Sequence, residues 1–131
     1  SGDETGKRVS TYLELFGLAK FAGRNVRTLS GGEGKKVMMA RSLAIHPKIL
    51  LLDEPLGMLD HNARFALLEN FKEIHARLRL TIIHVSHDRA EAQYIGKKSA
   101  VMNNGRLEQA GSTDEIFNRP ANSFVAGFLG G

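Results

Sequence analysis

Ile49-Leu50-Leu51-Leu52-Asp53-Glu54-Pro55 is the stretch on which the fold turns. Strands of parallel sheets are covered on both faces and read as unbroken aliphatic runs, so residues 49–52 predict a buried strand. Its carboxyl end delivers Asp53 and Glu54, and open α/β sheets bind ligands at that end. An aliphatic run closed by one carboxylate is also common in ordinary core strands. The adjacent Asp-Glu-Pro is what gives this one a chemical meaning.

Upstream, Leu29-Ser30-Gly31-Gly32-Glu33 sets a hydroxyl and two glycines before a helical run, so free N–H groups at the helix start can face an anion such as phosphate. Taken alone, the same residues read as a loop with an N-cap. Val37, Ala40, Leu43 and Ala44 then recur at helical spacing, Met38 and Met39 read as packing residues, and Pro47 ends the helix. Gly34 weakens its first turn by about 1 kcal/mol relative to alanine. Before it, Ser1 to Arg8 is polar and expected to fray. Thr11 and Glu14 suggest a capping box, with Leu13 and Phe16 beginning an apolar stripe over 9–18. Residues 23–28 read as loop.

Downstream, Phe65, Leu68, Phe71, Ile74 and Leu78 share one face of a helix expected over 61–78, which Asp60 can cap. Thr81 to Val85 is β-branched and reads as a second strand. Ser86-His87-Asp88 stands at its end, with Asp88 opening a helix through Tyr94. His46, His61, His75 and His84 read as structural. Asn103-Asn104-Gly105 between 99–102 and 106–109 is a hairpin signal. Ser112 with Glu115 predicts a short capped helix stopped by Pro120.

Composition bounds the function. A chain of 131 residues, 42% hydrophobic and 24% charged, suits one soluble domain. No apolar run approaches the roughly 20 residues of a membrane span, and the N-terminus lacks the apolar core of a secretory signal. Zero cysteines exclude disulfides and thiolate metal sites and fit a cytosolic protein. The net charge of +4 comes from Lys and Arg spread along the chain, so no nucleic-acid partner is expected.

Taken together and in order, these motifs make the chain resemble the C-terminal portion of the nucleotide-binding domain of an ATP-binding-cassette (ABC) transporter. Residues 29–33 match the family signature, 49–54 its Walker B strand, Leu59-Asp60 the end of its D-loop, and His87 its switch histidine. The tail Arg119-Pro120-Ala121-Asn122-Ser123-Phe124-Val125-Ala126 is similar to importer ATPases for molybdate, sulfate, sugars or polyamines. Many of those carry a further regulatory domain; with the sequence stopping at Gly131, none is expected here.

The resemblance implies an α/β fold: a P-loop NTPase-like three-layer core with parallel strands, incomplete, plus a remnant of the helical subdomain. Residues 1–45 would be that remnant and 46–131 the C-terminal part of the ATPase core. It implies ATP and Mg2+ as cofactors, with Asp53 holding the metal through water and Glu54 as general base. His87 would contact the γ-phosphate. Ser30, Gly31, Gly32 and Glu33 would face a nucleotide held by a second nucleotide-binding domain in a sandwich dimer, with Asp60 either at that interface or simply a cap. Transmembrane permease subunits are the further implied partners, placing the chain at the cytoplasmic face of a membrane.

Three departures stand out. Glu33, Gly34 and Lys35 occupy a segment where family members carry glutamines, and Gly57 and Met58 replace the usual serine and alanine. Gly6-Lys7 superficially matches the end of the G-x-x-x-x-G-K-[ST] loop, but Ser1 stands at its first glycine and Arg8 at its hydroxyl. The Walker A loop would therefore lie upstream or on a complementing chain. The fragment alone is expected to be marginal in stability, to expose a sheet edge or pair with another chain, and to have weak or no ATPase activity. Two alternatives remain: a non-catalytic module presenting its signature to a partner's nucleotide, and a DNA- or ribosome-directed ATPase, against which the importer-like tail argues.

Overall fold

The computed structural model describes residues 2–57 and 59–130, so Met58, in the segment expected to resemble a D-loop, lies outside the described residues. The chain divides into two compact units, 1–85 and 86–131.

In the first unit α1 spans Gly2–Leu15 and α2 spans Gly31–Ala44, joined by two short 3-10 turns at Ala19–Phe21 and Val26–Thr28. The expected capping box at Thr11 does not form, because the helix begins nine residues earlier. Inside the helix the Thr11 hydroxyl donates back to the Lys7 carbonyl at 2.9 Å, four residues upstream. Residues 23–28 are likewise not all loop: Asn25 caps the second 3-10 turn, its side chain accepting from the Arg27 amide at 3.0 Å.

After α2, β1 (Ile49–Asp53) pairs in parallel with β2 (Thr81–Val85), Ile49 opposite Thr81 and Asp53 opposite Val85. The helix α3 (His61–Leu78) forms the crossover between them. This is the α/β arrangement with parallel strands that the aliphatic runs predicted. Its burial differs from expectation. Leu50 and Leu52 are buried, whereas Ile49 (56% exposed), Leu51 (70%), Ile83 (50%) and Val85 (53%) line an open face. Period-2 geometry makes the difference: alternate side chains of a strand point to opposite faces, and α3 covers one face only. The T-shaped contact of Phe71 with His84, ring centroids 6.1 Å apart, marks the covered side. On α3 the predicted stripe is buried at Leu68, Phe71 and Ile74, joined by Leu67, while Phe65 and Leu78 at its ends are partly exposed. Of the two methionines read as packing, Met39 is buried and Met38 faces solvent.

The second unit begins with α4 (Arg89–Ile95), capped by Asp88, whose carboxylate accepts from the Ala90 amide at 2.8 Å. β3 (Lys98–Asn103) and β4 (Arg106–Ser112) form the predicted hairpin. Its two-residue loop has positive φ at both Asn104 (46°) and Gly105 (76°), the backbone that matches strand twist and favours Asn-Gly. α5 (Thr113–Asn118) starts at the Ser112 cap, and α6 (Ser123–Gly130) adds a helix that the apolar tail did not announce. α6 is started by the Asn122 side chain, which accepts from the Val125 amide at 2.9 Å. Val125 then closes a small core with Val101 and Ile116. The buried Thr113 hydroxyl lies 2.6 Å from the Gly96 carbonyl, to which it donates, and 2.8 Å from the Ser99 hydroxyl.

Candidate functional site

Asp53 ends β1 and is exposed; Glu54 is partly buried. The Glu54 amide extends the parallel ladder by one step, donating to the Val85 carbonyl at 2.9 Å. Glu54 itself adopts φ of 45°, a left-handed conformation that a non-glycine residue holds at a cost of about 1 kcal/mol or more and only where its surroundings impose it. Those surroundings are visible. Pro55 and Leu56 are buried, Leu56 completely, and the Gly57 amide closes a turn onto the Glu54 carbonyl at 3.2 Å. The two acids leave the strand on a sharp, fixed corner.

The signature residues form the start of α2. Ser30 is its N-cap, and with Glu33 it makes a complete capping box. The Glu33 amide donates to the Ser30 hydroxyl at 3.3 Å and the Ser30 amide donates to the Glu33 carboxylate at 2.8 Å. That backbone hydrogen bond, then the Ser30 hydroxyl, and more weakly the positive charges of Arg24 and Lys20, hold the Glu33 carboxyl below its ordinary value. The amides of Gly31 and Gly32 belong to the first turn, whose N–H groups have no intrahelical acceptor. Gly32 sits close to the loop after the acidic pair: a Cβ there would stand 3.1 Å from Leu59 Cδ2.

α2 and the acidic corner are therefore brought together within one unit. The Lys35 ammonium donates to the Gly57 carbonyl, across 22 residues of sequence. In the sequence, Lys35 stands out only as a departure from glutamine. No local signal exists for this bond, since its partner lies on another element. Asp60 is the N-cap of α3, accepting from the Ala63 amide at 3.0 Å, which is one of the two roles expected of it. His87 is exposed and stands two residues beyond the end of β2, in the second unit. Among the described residues, no group of three or more His, Asp or Glu is placed to hold a metal.

A surface hollow lined by His46, Lys48, Arg79 and Thr81 lies at the opposite, amino ends of β1 and β2. Its cations stand where α2 and α3 terminate, and helix C-termini attract positive charge without any ligand.

Residues 3–57 match the family described as ABC transporter. The trehalose/maltose import ATP-binding protein MalK of Thermococcus litoralis is 42% identical over 97% of this chain and 34% of its own length. The Fe(3+) ions import ATP-binding protein FbpC of Streptomyces coelicolor is 45% identical over 97% of this chain and 36% of its own. Among solved structures, cbiO1 from Clostridium perfringens, part of the ABC transporter complex cbiONQ, superposes with a TM-score of 0.82. It is 32% identical and is matched over 91% of this chain and 47% of that one. The chain spans about a third of the length of the curated relatives it matches, 34% and 36%.

Proposed function

We propose that this chain is the C-terminal portion of an ABC-transporter ATP-binding domain of the importer type, a reading supported by its similarity to importer ATP-binding proteins, and that it supplies hydrolytic and signature residues to an ATPase powering solute import. The observation that carries this reading is the joined construction of acidic corner and capped signature helix within one unit. Asp53, exposed at the strand end, suits a hard cation that keeps most of its water. With no cluster of three ligating side chains among the described residues, Mg2+ here would take its remaining ligands from water and phosphate oxygens. When bound it neutralises charge on the phosphates. Glu54 is the general base that orients the attacking water and accepts its proton. His87 contacts the γ-phosphate. Ser30, Gly31 and Gly32 offer a hydroxyl and first-turn amides to the nucleotide of a second domain, in a head-to-tail sandwich.

Within this reading residues 1–45 belong to the helical subdomain and 46–131 to the ATPase core, and permease subunits hold the assembly at the cytoplasmic face of a membrane. No helix among the described residues is long and apolar enough to cross one. Phosphate release tests the assignment. We expect the 131 residues alone to be weak or inactive, having no complete phosphate-binding loop, and activity to appear with a Walker A-bearing portion. Glu54→Gln should then lower turnover by about 100-fold or more, the scale of a positioned general base. Turnover that survives Glu54→Gln would remove Glu54 from the role.

A second reading is favoured by the exposed, fully formed start of α2 at Ser30 and Gly31. There the chain is a non-catalytic module that presents its signature to a partner's nucleotide. Nucleotide binding only on mixing with a Walker A-bearing chain, with no turnover, supports it.

A further inference from the structure

We propose that Lys35 is a positioning residue: its ammonium, donating to the Gly57 carbonyl, holds the turn that sets the backbone of Glu54, so that signature helix and acidic corner form one body. The proposal takes its catalytic meaning from the role assigned to Glu54 above, whereas its geometry stands apart from that role.

Lys35 is half-buried on α2, an unusual setting for a side chain that ordinarily extends into water. Its ammonium ends on a backbone carbonyl rather than on a carboxylate. That carbonyl belongs to the residue whose amide closes the turn back onto Glu54 at 3.2 Å. Lys35 thus grips one side of a residue whose other side pins Glu54, and Glu54 holds φ of 45°. A left-handed non-glycine residue keeps that conformation only while its neighbours over-determine it. The Val85 carbonyl fixes its amide, the buried Leu56 anchors the turn beyond it, and Lys35 fixes the far end of that turn. The Leu59 amide donates to the Leu56 carbonyl at 3.3 Å, and Leu59 packs at Gly32, so a second contact joins the same two elements.

The bond depends on the donor at position 35 and not on glycine at 57: a Cβ built at Gly57 would lie 3.8 Å from the Lys35 ammonium and 3.5 Å from the Glu54 carbonyl, both ordinary contacts. The glutamine that resembling domains carry in this segment has a shorter, neutral donor, whereas an ammonium makes the stronger, charge-assisted bond.

Amide hydrogen exchange on the 131-residue chain tests this, comparing parent, Lys35→Met and Lys35→Arg. Lys35→Met should speed exchange at Gly57 and Leu59 by about 10-fold or more, while amides of 68–74 in α3 stay within about twofold; Lys35→Arg should return both sites to near parent rates. Unchanged exchange at Gly57 and Leu59 in Lys35→Met, or failure of Lys35→Arg to restore it, overturns the proposal. If Lys35→Met also loses protection in α3, Lys35→Gln carries the same comparison. Phosphate release with a Walker A-bearing portion adds a kcat against KM split, Lys35→Met lowering kcat with KM for ATP little changed. Faster exchange in a protein without any ATPase activity supports Lys35 and removes the catalytic reading. Normal exchange beside active turnover does the reverse.

Discussion

At the scale of single residues, the start of α2 shows how one side chain can serve a fold and a candidate site together. Ser30 satisfies a helix amide with the hydroxyl that the proposed function would turn toward phosphate. Replacing it with alanine should cost about 1 kcal/mol of unfolding free energy, the usual value of an N-cap, as read from urea denaturation. Glu33 makes the return bond and is thereby held below the ordinary carboxylate value of 4.5. A group whose folded pKa is lowered contributes stability above its unfolded pKa and loses it as pH falls through the folded value. Protection of the Ser30 and Glu33 amides should therefore be complete near neutrality and decline below about pH 4.5, and Glu33→Gln should flatten that decline. The return bond of Glu33 was not read from the sequence, whereas the Ser30 and Asp60 caps and the place of Asp53 and Glu54 after a strand were legible from type and order. Lys35 was not, because a bond between residues 35 and 57 leaves no periodic trace in either segment.

At the scale of elements, caps and turns written by local chemistry came out where the residues placed them. Asp60, Asp88 and Ser112 each start a helix with a side-chain bond to an early amide. The Asn104-Gly105 hairpin loop holds φ of 46° and 76°. Gly105→Ala should destabilise the second unit by about 1–2 kcal/mol, the cost of a Cβ in left-handed backbone, seen as lower protection across 98–112. Thr11 and Glu14 show where local reading fails. The same spacing serves as a start signal or an interior pair, and only a helix already running from Gly2 decides which. α6 escaped for a related reason. Ser123 to Gly130 carries two more glycines, 127 and 130, and no charge, so its helix rests on the Asn122 cap and on Val125 packing against Val101 and Ile116. Ile116→Ala should accordingly cost about 2–5 kcal/mol in thermal unfolding of that unit, since so small a core has little left to close the cavity.

At the scale of the whole molecule, the open face of β1 and β2 is the feature that matters. Four apolar side chains, Ile49, Leu51, Ile83 and Val85, are at least half exposed together, and contiguous apolar surface of this kind drives association. Leu51→Lys should change unfolding free energy by less than about 0.5 kcal/mol, as surface changes do, yet reduce concentration-dependent association in sedimentation. Unaltered association would show that this face is not the sticky one. What the sequence determined by itself was two strands joined through a helix, the caps at Asp60, Asp88 and Ser112, the hairpin and the placing of two carboxylates after a strand. Each depends on chemistry within a few residues of itself. What only the tertiary structure decided was which face of an aliphatic strand is covered, that Glu54 is held in left-handed backbone, and that Lys35 spans from helix to turn. Burial and long-range hydrogen bonds depend on what packs against a residue, and the chain code carries no local record of that.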